Sequence, residues 1–266
     1  MGRRRNVSAG TSAVIGVIFR SWPLQFVLTL VIYAFYAAVI GAALAPSAVL
    51  AQWEYERLFA AARATPVPAG KTVLFCLFIG AGVFLFLFCA LLLTGLVVRI
   101  MSMGVKTGRH PAASRTTLLW MLLNGLHTIV FRSFLPLVPM TFLSTMYFRI
   151  AGFRIGRNVL ITTPFLLDPY LISIGDDSVI GGDAVLNAHL FEKGMLLLAP
   201  ISIGRGCSVG AQALISPGVT VGDRATIGMR VSIREGKRIP AGAHVASLDG
   251  LPFGRVRDLE GRKKGS

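Results

Sequence analysis

The stretch ISIGRGCSVGAQALISPGVTVGDRATIG, residues 201–228, carries an aliphatic residue at every sixth position. The spacing continues to Val245, and Gly follows the aliphatic residue at several of these positions. A period of six is neither helical nor the simple alternation of a strand, and it is typical of a hexapeptide parallel β-helix. Small residues would allow the tight turns between the short strands. The aliphatic residues are Ile203, Val209, Ile215, Val221, Ile227, Ile233, Ile239 and Val245.

The same spacing occurs upstream, and it is broken once before it resumes. Leu186 and Ile203 are 17 positions apart, which is not a multiple of six. The interruption reads AHLFEKGMLLLAP, residues 188–200, and it brings a His and a Glu into an otherwise regular region. We expect a loop that leaves one corner of the β-helix near His189 and returns near Pro200. The upstream residues that keep the spacing are Ile155, Ile161, Ile174, Ile180 and Leu186.

Two long uncharged runs precede the repeats. Residues 72–98 form a run of 27, enough to cross a bilayer core of about 30 Å, and residues 21–53 form another. Ser21 is a candidate N-cap, Pro23 lies near the first helical position, and Pro46 is expected to end the first helix. The first run is longer than the apolar region of a signal peptide, so we expect a retained helix.

The charges predict how these helices lie in the membrane. The charged side chains of residues 1–20 and 99–158 are all basic. In residues 46–70, acidic and basic side chains balance. The positive-inside rule then places both termini in the cytoplasm and residues 46–70 outside, in the inner (cytoplasmic) membrane. The net charge of +15 therefore indicates anionic lipid headgroups rather than nucleic acid as the partner.

The middle of the chain, residues 115–149, is apolar but is interrupted by Arg132, Pro136 and Pro139. Each uncharged half is short for a straight span, and Arg at mid-bilayer is costly. We expect interfacial helices, or alternatively a re-entrant hairpin. His127 is interpreted as a packed or interfacial residue.

The expected fold class is membrane α plus all-β: two transmembrane helices and interfacial helices, followed by a parallel β-helix of hexapeptide repeats. The sequence divides into five parts. These are a basic segment at 1–20, two transmembrane helices at 21–110 with an outside loop at 46–70, an interfacial or re-entrant connector at 111–152, the β-helix at 153–250, and a charged, disordered tail at 251–266.

The segments YFRIAGFRIGRNVLITT, DPYLISIGDDSVIGGDAVLNAHLFEKG and ISIGRGCSVGAQALISPGVTVGDRATIG resemble the left-handed β-helix hexapeptide acyltransferases. They are most similar to the membrane-linked C-terminal modules of polylysine-synthetase-type nonribosomal peptide synthetases, over roughly residues 71–245. This chain lacks the adenylation and carrier domains of those synthetases, so the resemblance implies a free-standing relative. It also implies that the β-helix is left-handed and that the protein forms a homotrimer.

The resemblance implies that His189 is a general base, as a loop His is in that family. An unperturbed imidazole pKa near 6.5 suits this role. Glu192 could accept from the other ring nitrogen, with Asp183 and Asp168 as alternatives, and Asn187 could orient the acceptor or the tetrahedral intermediate. Alternatively, His189 only ends a strand and bonds the loop backbone. Phe191 is interpreted as a packing residue.

The resemblance further implies a donor groove for acetyl-CoA or another acyl thioester. Gly210 and Ala211 fit its pantetheine arm, and the basic residues of the last coils would suit its phosphates or, equally, a solvated or headgroup-facing surface. No metal is expected, because the zinc-dependent carbonic anhydrases on this fold need three converging His residues, and the repeats offer two. The basic residues are Arg230, Arg234 and Lys237, with Arg238 beside them.

The sequence thus predicts a membrane-anchored acyltransferase, an acetyltransferase by first expectation, acting on an amine or hydroxyl acceptor at the cytoplasmic membrane face. The donor would be coenzyme A or a carrier protein. The alternatives are a peptide-bond-forming module that uses carrier-bound aminoacyl thioesters, and a non-catalytic trimeric membrane scaffold.

Overall fold

A computed structural model describes residues 21–59 and 69–246. A helical half comes first and a β-helix follows. The segments expected at 1–20 and 251–266 lie outside the described residues. The helices are α1 (Trp22–Phe59), α2 (Ala69–Ser102), α3 (Arg115–Ser133) and α4 (Phe142–Ile150), with 3-10 turns at Leu135–Leu137 and Pro169–Leu171.

The strands are short, and most have two or three residues. They are β1 (Gly108–Pro111), β2 (Arg154–Ile155), β3 (Leu160–Ile161), β4 (Leu166–Leu167), β5 (Ile172–Ile174), β6 (Val179–Ile180), β7 (Val185–Asn187), β8 (His189–Glu192), β9 (Met195–Leu198), β10 (Ile201–Ile203), β11 (Ser208–Val209), β12 (Leu214–Ile215), β13 (Thr220–Val221), β14 (Thr226–Ile227), β15 (Ser232–Ile233), β16 (Arg238–Ile239) and β17 (His244–Val245).

Three parallel sheets form the β-helix. Its first face is β2, β5, β10, β13 and β16, its second is β3, β6, β11, β14 and β17, and its third is β4, β7, β12 and β15. Successive strands visit the three faces in turn, so three strands make one coil. We call the turn between the third and first faces the third corner, and the turn between the second and third faces the second corner.

The six-residue pattern forms the interior, as predicted. Ile155, Ile174, Ile203, Val221 and Ile239 pair in register along the first face, and the other two faces carry matching columns. The residues at this phase from Ile203 to Val245 are all buried. Burying each such side chain contributes about 1.5–3 kcal/mol, so the stacked columns are the main source of stability for the β-helix.

Helix α1 differs from the prediction. It continues through Pro46 and reaches Phe59, so the first part of the expected outside loop at 46–70 is helical, and Glu54 is buried within it. A proline removes one backbone hydrogen bond, but neighbouring helices and small local adjustments can accommodate it in apolar helices. Residues 60–68 lie outside the described residues.

Three of the described helices are long and apolar enough to cross a membrane: residues 22–57, 69–102 and 115–137. Many large apolar side chains on α1 and α2 face outward, Trp22 and Phe84 among them. The share of buried residues is highest in the third helix. More of that helix is therefore covered by protein than of the other two.

Helix α3, in the predicted connector, packs against the first coil of the β-helix. His127 lies within hydrogen-bond distance of the Tyr147 hydroxyl (2.6 Å) and of Leu166 O (2.9 Å), and it is buried. Its packed position agrees with the interpretation from sequence. Ser114 caps the start of α3 by accepting from Thr117 N. The contact of His127 with Leu166 fixes one face of α3 on the first coil.

Candidate active site

The interruption in the repeats is a β-hairpin at the third corner. Strands β8 and β9 pair antiparallel, with His189 opposite Leu198 and Glu192 opposite Met195. Lys193 and Gly194 form the two-residue turn with φ of 51° and 73°, the backbone conformation that such tight hairpins need. The predicted excursion between His189 and Pro200 is therefore present, as a hairpin rather than an irregular loop.

A third strand from the helical half completes the hairpin sheet. Strand β1 pairs antiparallel with β9, with Gly108 opposite Leu198 and Pro111 opposite Met195. Ala112 N then donates to Gly194 O at the hairpin turn. Strand β1 could not be predicted from the sequence, because Gly-Arg-His-Pro has no alternation of apolar and polar residues. The hairpin is thus held between the β-helix and the segment that leads into α3.

The first coil is also irregular at the third corner. Leu166 and Ile174 face inward in successive strands and are eight positions apart instead of six. The extra residues form the 3-10 turn Pro169–Leu171, and Asp168 at its start has a left-handed backbone with φ of 62°. Because the hairpin leaves the same corner one coil later, the two irregularities lie beside each other.

These irregularities bring Asp168 and His189 into contact. Asp168 Oδ2 lies 2.6 Å from His189 Nδ1, and the two side chains are 1% and 16% exposed. An ionised carboxylate can only accept, so Nδ1 carries the proton of this bond. In the neutral imidazole the lone pair is then on Nε2, which is the protonation state that a general base needs.

Asp168 is itself held by two aromatic side chains. Trp120 Nε1 donates to Asp168 Oδ1 over 2.8 Å, and the Tyr170 hydroxyl lies 3.5 Å from the same oxygen. Burial, and secondarily the charge of Asp168, raises the pKa of the Tyr170 hydroxyl, which therefore stays protonated and can donate. The Trp120 ring also meets the His189 ring edge-on at 4.7 Å between centroids. Both members of the pair are therefore restrained.

A cavity of about 500 Å³ lies beside His189. One wall comes from the segment leading into α3 and from α3 itself, through Ala112, Thr117, Trp120 and Met121. The opposite wall is the start of the hairpin. It consists of Asn187, His189, Leu190 and Phe191. The cavity thus brings a candidate base and room for a substrate together, between the helical half and the β-helix.

The predicted catalytic residues divide between this cavity and the surface. Asn187 lines the cavity, and its Oδ1 accepts from His189 N over 3.3 Å. The contact expected of Glu192 is made by Asp168 instead. Glu192 is three residues from His189, so it faces the other side of the strand, where its exposed carboxylate lies 3.4 Å from Lys193 Nζ. Asp183 lies at the second corner, away from the hairpin.

The residues predicted to bind the donor lie at two different corners. Gly210, Ala211 and Arg230 are at the second corner, whereas Arg234 and Lys237 are at the third corner with the hairpin. The backbone at the first of these sites is already engaged, because Gly210 N donates to Ile227 O and Ala211 O accepts from Arg230 N. The Arg230 side chain donates to Gln212. A single chain therefore does not gather these five residues into one groove.

The stacking of neighbouring coils explains why residue 210 is Gly. A Cβ there would lie 2.5 Å from Met229 N on the next coil, which is closer than real contacts allow. Its small size is therefore required by coil stacking. Within residues 21–59 and 69–246, no group of three His, Cys, Asp or Glu side chains is arranged to hold a metal ion.

Comparison with known proteins agrees with this fold. Residues 200–234 match the family model described as the hexapeptide repeat of succinyl-transferase. Delta-poly-L-ornithine synthetase from Acinetobacter baumannii is 26% identical over 168 residues, which is 63% of this chain and 12% of that protein. Galactoside O-acetyltransferase from Escherichia coli is 30% identical over 122 residues, covering 43% of this chain and 58% of that protein.

Among solved structures, a hexapeptide-repeat acetyltransferase from Vibrio cholerae, complexed with acetyl coenzyme A, is 16% identical with a TM-score of 0.40. That match covers 56% of this chain and 93% of that chain. The repeats of this chain are therefore similar to those of hexapeptide-repeat acetyltransferases, and residues 200–234 carry the repeat itself. The chain spans 12% and 58% of the lengths of the two curated relatives named above.

Proposed function

We propose that this protein is a membrane-anchored acyltransferase. It moves an acyl group from a thioester, carried by coenzyme A or by a carrier protein, to an amine or hydroxyl acceptor at the cytoplasmic membrane face. The observation that supports this most is the buried Asp168–His189 pair, which opens onto a cavity of about 500 Å³. A base oriented by a carboxylate beside a substrate-sized cavity is the arrangement that acyl transfer requires.

In this mechanism His189 Nε2 takes the proton from the acceptor as its oxygen or nitrogen attacks the thioester carbonyl carbon. The tetrahedral intermediate then collapses, the carbon–sulfur bond breaks, and the imidazolium returns the proton to the departing thiolate. Asp168 holds the ring in the required tautomer and stabilises the imidazolium. The products are the free thiol and the ester or amide, and no metal takes part.

Asn187 is proposed to orient the acceptor or the intermediate. Its carbonyl oxygen accepts from the backbone of His189, which leaves the amide NH₂ to donate into the cavity that the side chain lines. A donor at that position would stabilise negative charge on the intermediate as it develops. Glu192 has no role in this proposal, because it lies on the opposite side of the strand.

The donor is proposed to bind between protomers of a homotrimer of left-handed β-helices. The support is that the second and third corners each carry part of the predicted groove, with Gly210 and Ala211 on one and Arg234 and Lys237 on the other. Packing one protomer against the next would bring unlike corners together. The basic side chains would then face the phosphates of coenzyme A.

The anchor is proposed to be α1 and α2, which cross the inner membrane. The lipid-facing character of their outward apolar side chains and the basic flanks at 1–20 and 99–158 support this topology. Helix α3 is also apolar enough to span, but Trp120 and His127 fix one of its faces on the β-helix. We therefore propose that α3 lies at the cytoplasmic interface.

A second candidate function is peptide-bond formation from carrier-bound aminoacyl thioesters. It is favoured by the match to the poly-ornithine synthetase. The matched segment of 168 residues is longer than the β-helix, so it extends into the helical half of this chain. The same base would then deprotonate an amine acceptor. A carrier loaded with an aminoacyl group, offered in place of coenzyme A thioesters, separates the two candidates.

The experiment that tests the proposal is thioester consumption by the purified full chain, with acyl-coenzyme A donors and a panel of amines, sugars and lipids. We expect turnover that falls by about a hundredfold or more in His189→Ala without loss of the oligomer. Equal turnover in the two proteins would make His189 structural. No turnover with coenzyme A or with a loaded carrier would favour the non-catalytic scaffold.

A further inference from the structure

We infer that the cavity beside His189 holds an aliphatic chain of the substrate, so that the transferred acyl group or the acceptor is lipid-like. The inference rests on the proposed function, and it names the substrate class of that site. Its first support is the lining of the cavity. The walls are dominated by Trp120, Met121, Leu190 and Phe191, with Ala112 beside them.

The cavity is lined by few polar side chains: Thr117, Asn187 and His189 beside the engaged Trp120. The Thr117 hydroxyl already donates to Pro111 O over 2.8 Å, so it is engaged. His189 and Asn187 remain, and both belong to the segment where the chain leaves the third face for the hairpin. A sugar in this cavity would bring several hydroxyls that its lining could not pair, and buried unpaired hydroxyls are strongly disfavoured. An aliphatic chain needs no such partners.

The volume also exceeds what an acetyl group needs. Water occupies roughly 30 Å³ in the liquid, and a methylene group is of similar size, so a chain of about ten carbons fills roughly 300 Å³. The cavity of about 500 Å³ therefore has room for such a chain together with the reacting carbonyl group. An acetyl group alone would leave most of the cavity empty.

The position of Phe191 within the lining gives a more specific indication. It follows His189 by two residues in β8, so both side chains are on the same face of the strand, and its ring is half exposed at the cavity. An aliphatic chain that passes from the reacting carbon along this face would cover the ring. Covering an exposed aromatic ring is favourable, so Phe191 becomes part of the binding surface rather than a packing residue.

The chain could be carried by the acyl donor or by the acceptor, and two assay series separate these sources. Both use the full chain in lipid nanodiscs, because detergent would itself supply alkyl chains. The first varies the donor from acetyl- through octanoyl- to palmitoyl-coenzyme A with a short amine or alcohol as acceptor. The second keeps acetyl-coenzyme A and varies primary alkylamines and alkanols from ethyl to dodecyl.

We expect kcat/KM to rise by up to about fourfold per added methylene in one of the two series, until the cavity is full. Ala112→Phe, which fills part of the cavity, should move the optimum to a shorter chain. Ala113→Phe is the matched control, because Ala113 does not line the cavity, and it should leave the optimum unchanged. Met121→Ala enlarges the cavity and should move the optimum to a longer chain.

Turnover that is highest with the shortest chains in both series would overturn the inference while leaving the proposed acyl transfer intact. Absence of all turnover would instead count against the proposed function. In that case, binding of S-alkyl-coenzyme A thioethers and of alkylamines still decides the inference. Affinity that rises with chain length and falls in Ala112→Phe supports it, whereas affinity independent of chain length overturns it.

Discussion

Trp120 Nε1 donates to Asp168 Oδ1 over 2.8 Å, while the other oxygen of the same carboxylate contacts His189. The three residues come from three parts of the chain: helix α3, the first coil of the β-helix and the hairpin after the second coil. The orientation of the candidate base therefore depends on how the helical half is docked. A change in α3 that leaves the β-helix folded should therefore alter the orientation of His189 through this hydrogen bond.

The first prediction concerns Trp120→Phe, which keeps an aromatic ring and removes the N–H. Hydrogen bonds to charged groups contribute about 1.5–3 kcal/mol, so losing this one should lower kcat by roughly tenfold or more. KM should change little, because most of the cavity wall is kept. Steady-state kinetics and thermal unfolding of both proteins check this. A drop in melting temperature with unchanged kcat per folded enzyme would make Trp120 structural only.

The second prediction concerns His127→Phe, which serves as a contrast within the same helix. The change leaves the Tyr147 hydroxyl and Leu166 O without their buried partner, which should lower the free energy of unfolding by about 2–4 kcal/mol. His127 does not touch the Asp168–His189 pair by hydrogen bonding, so kcat per folded enzyme should be retained. Unfolding curves and active-site-normalised rates test this. A variant with native stability but little activity would contradict it.

The third prediction compares two carboxylates, Asp168 and Glu192. Asp168→Asn removes the charge that stabilises the imidazolium and the required tautomer, and kcat should fall by about a hundredfold or more. Glu192→Gln changes an exposed carboxylate whose partner is Lys193, and the rate should stay within about twofold. The two kcat values, measured with the same thioester and acceptor, are the readout. Comparable losses in both variants would restore Glu192 as the orienting residue.

The fourth prediction compares the adjacent glycines Gly181 and Gly182. A Cβ at 181 would lie 2.6 Å from Ala211 N on the next coil, whereas a Cβ at 182 would meet its nearest atom, in Thr162, at 3.9 Å. Gly181→Ala should therefore destabilise the β-helix by about 1–3 kcal/mol or more, and Gly182→Ala by less than about 0.5 kcal/mol. Chemical or thermal unfolding monitored on the β-helix measures both. Equal effects would mean that neighbouring coils can shift apart.

The interior of the β-helix could be predicted because the local six-residue spacing determines which side chains face inward. Ile203, Val209 and Ile215 each point to the core for the same reason, and the period alone identifies them. The hairpin was detectable by the same logic, since Leu186 and Ile203 are out of phase. The apolar runs that became α1 and α2 needed only composition and length.

The partner of His189 could not be predicted in this way. Asp168 is 21 residues earlier and reaches His189 only because consecutive coils stack, whereas Glu192 is near in sequence and on the wrong side of the strand. A signal was present in the eight-residue spacing from Leu166 to Ile174, which marks the same corner as the hairpin. The pairing of β1 with β9 had no such signal, because it joins distant segments through backbone bonds.

Strand β1 also imposes an order on biogenesis. It leaves the ribosome well before β9 has been synthesised, so its edge has no partner while the first two coils form. The hairpin sheet, and with it the wall of the cavity, can be completed only when the chain returns from the second coil. Contacts between distant segments form slowly, so the cavity beside His189 should form later than the first two coils. Nascent chains that end before β9 would therefore lack the wall of this cavity.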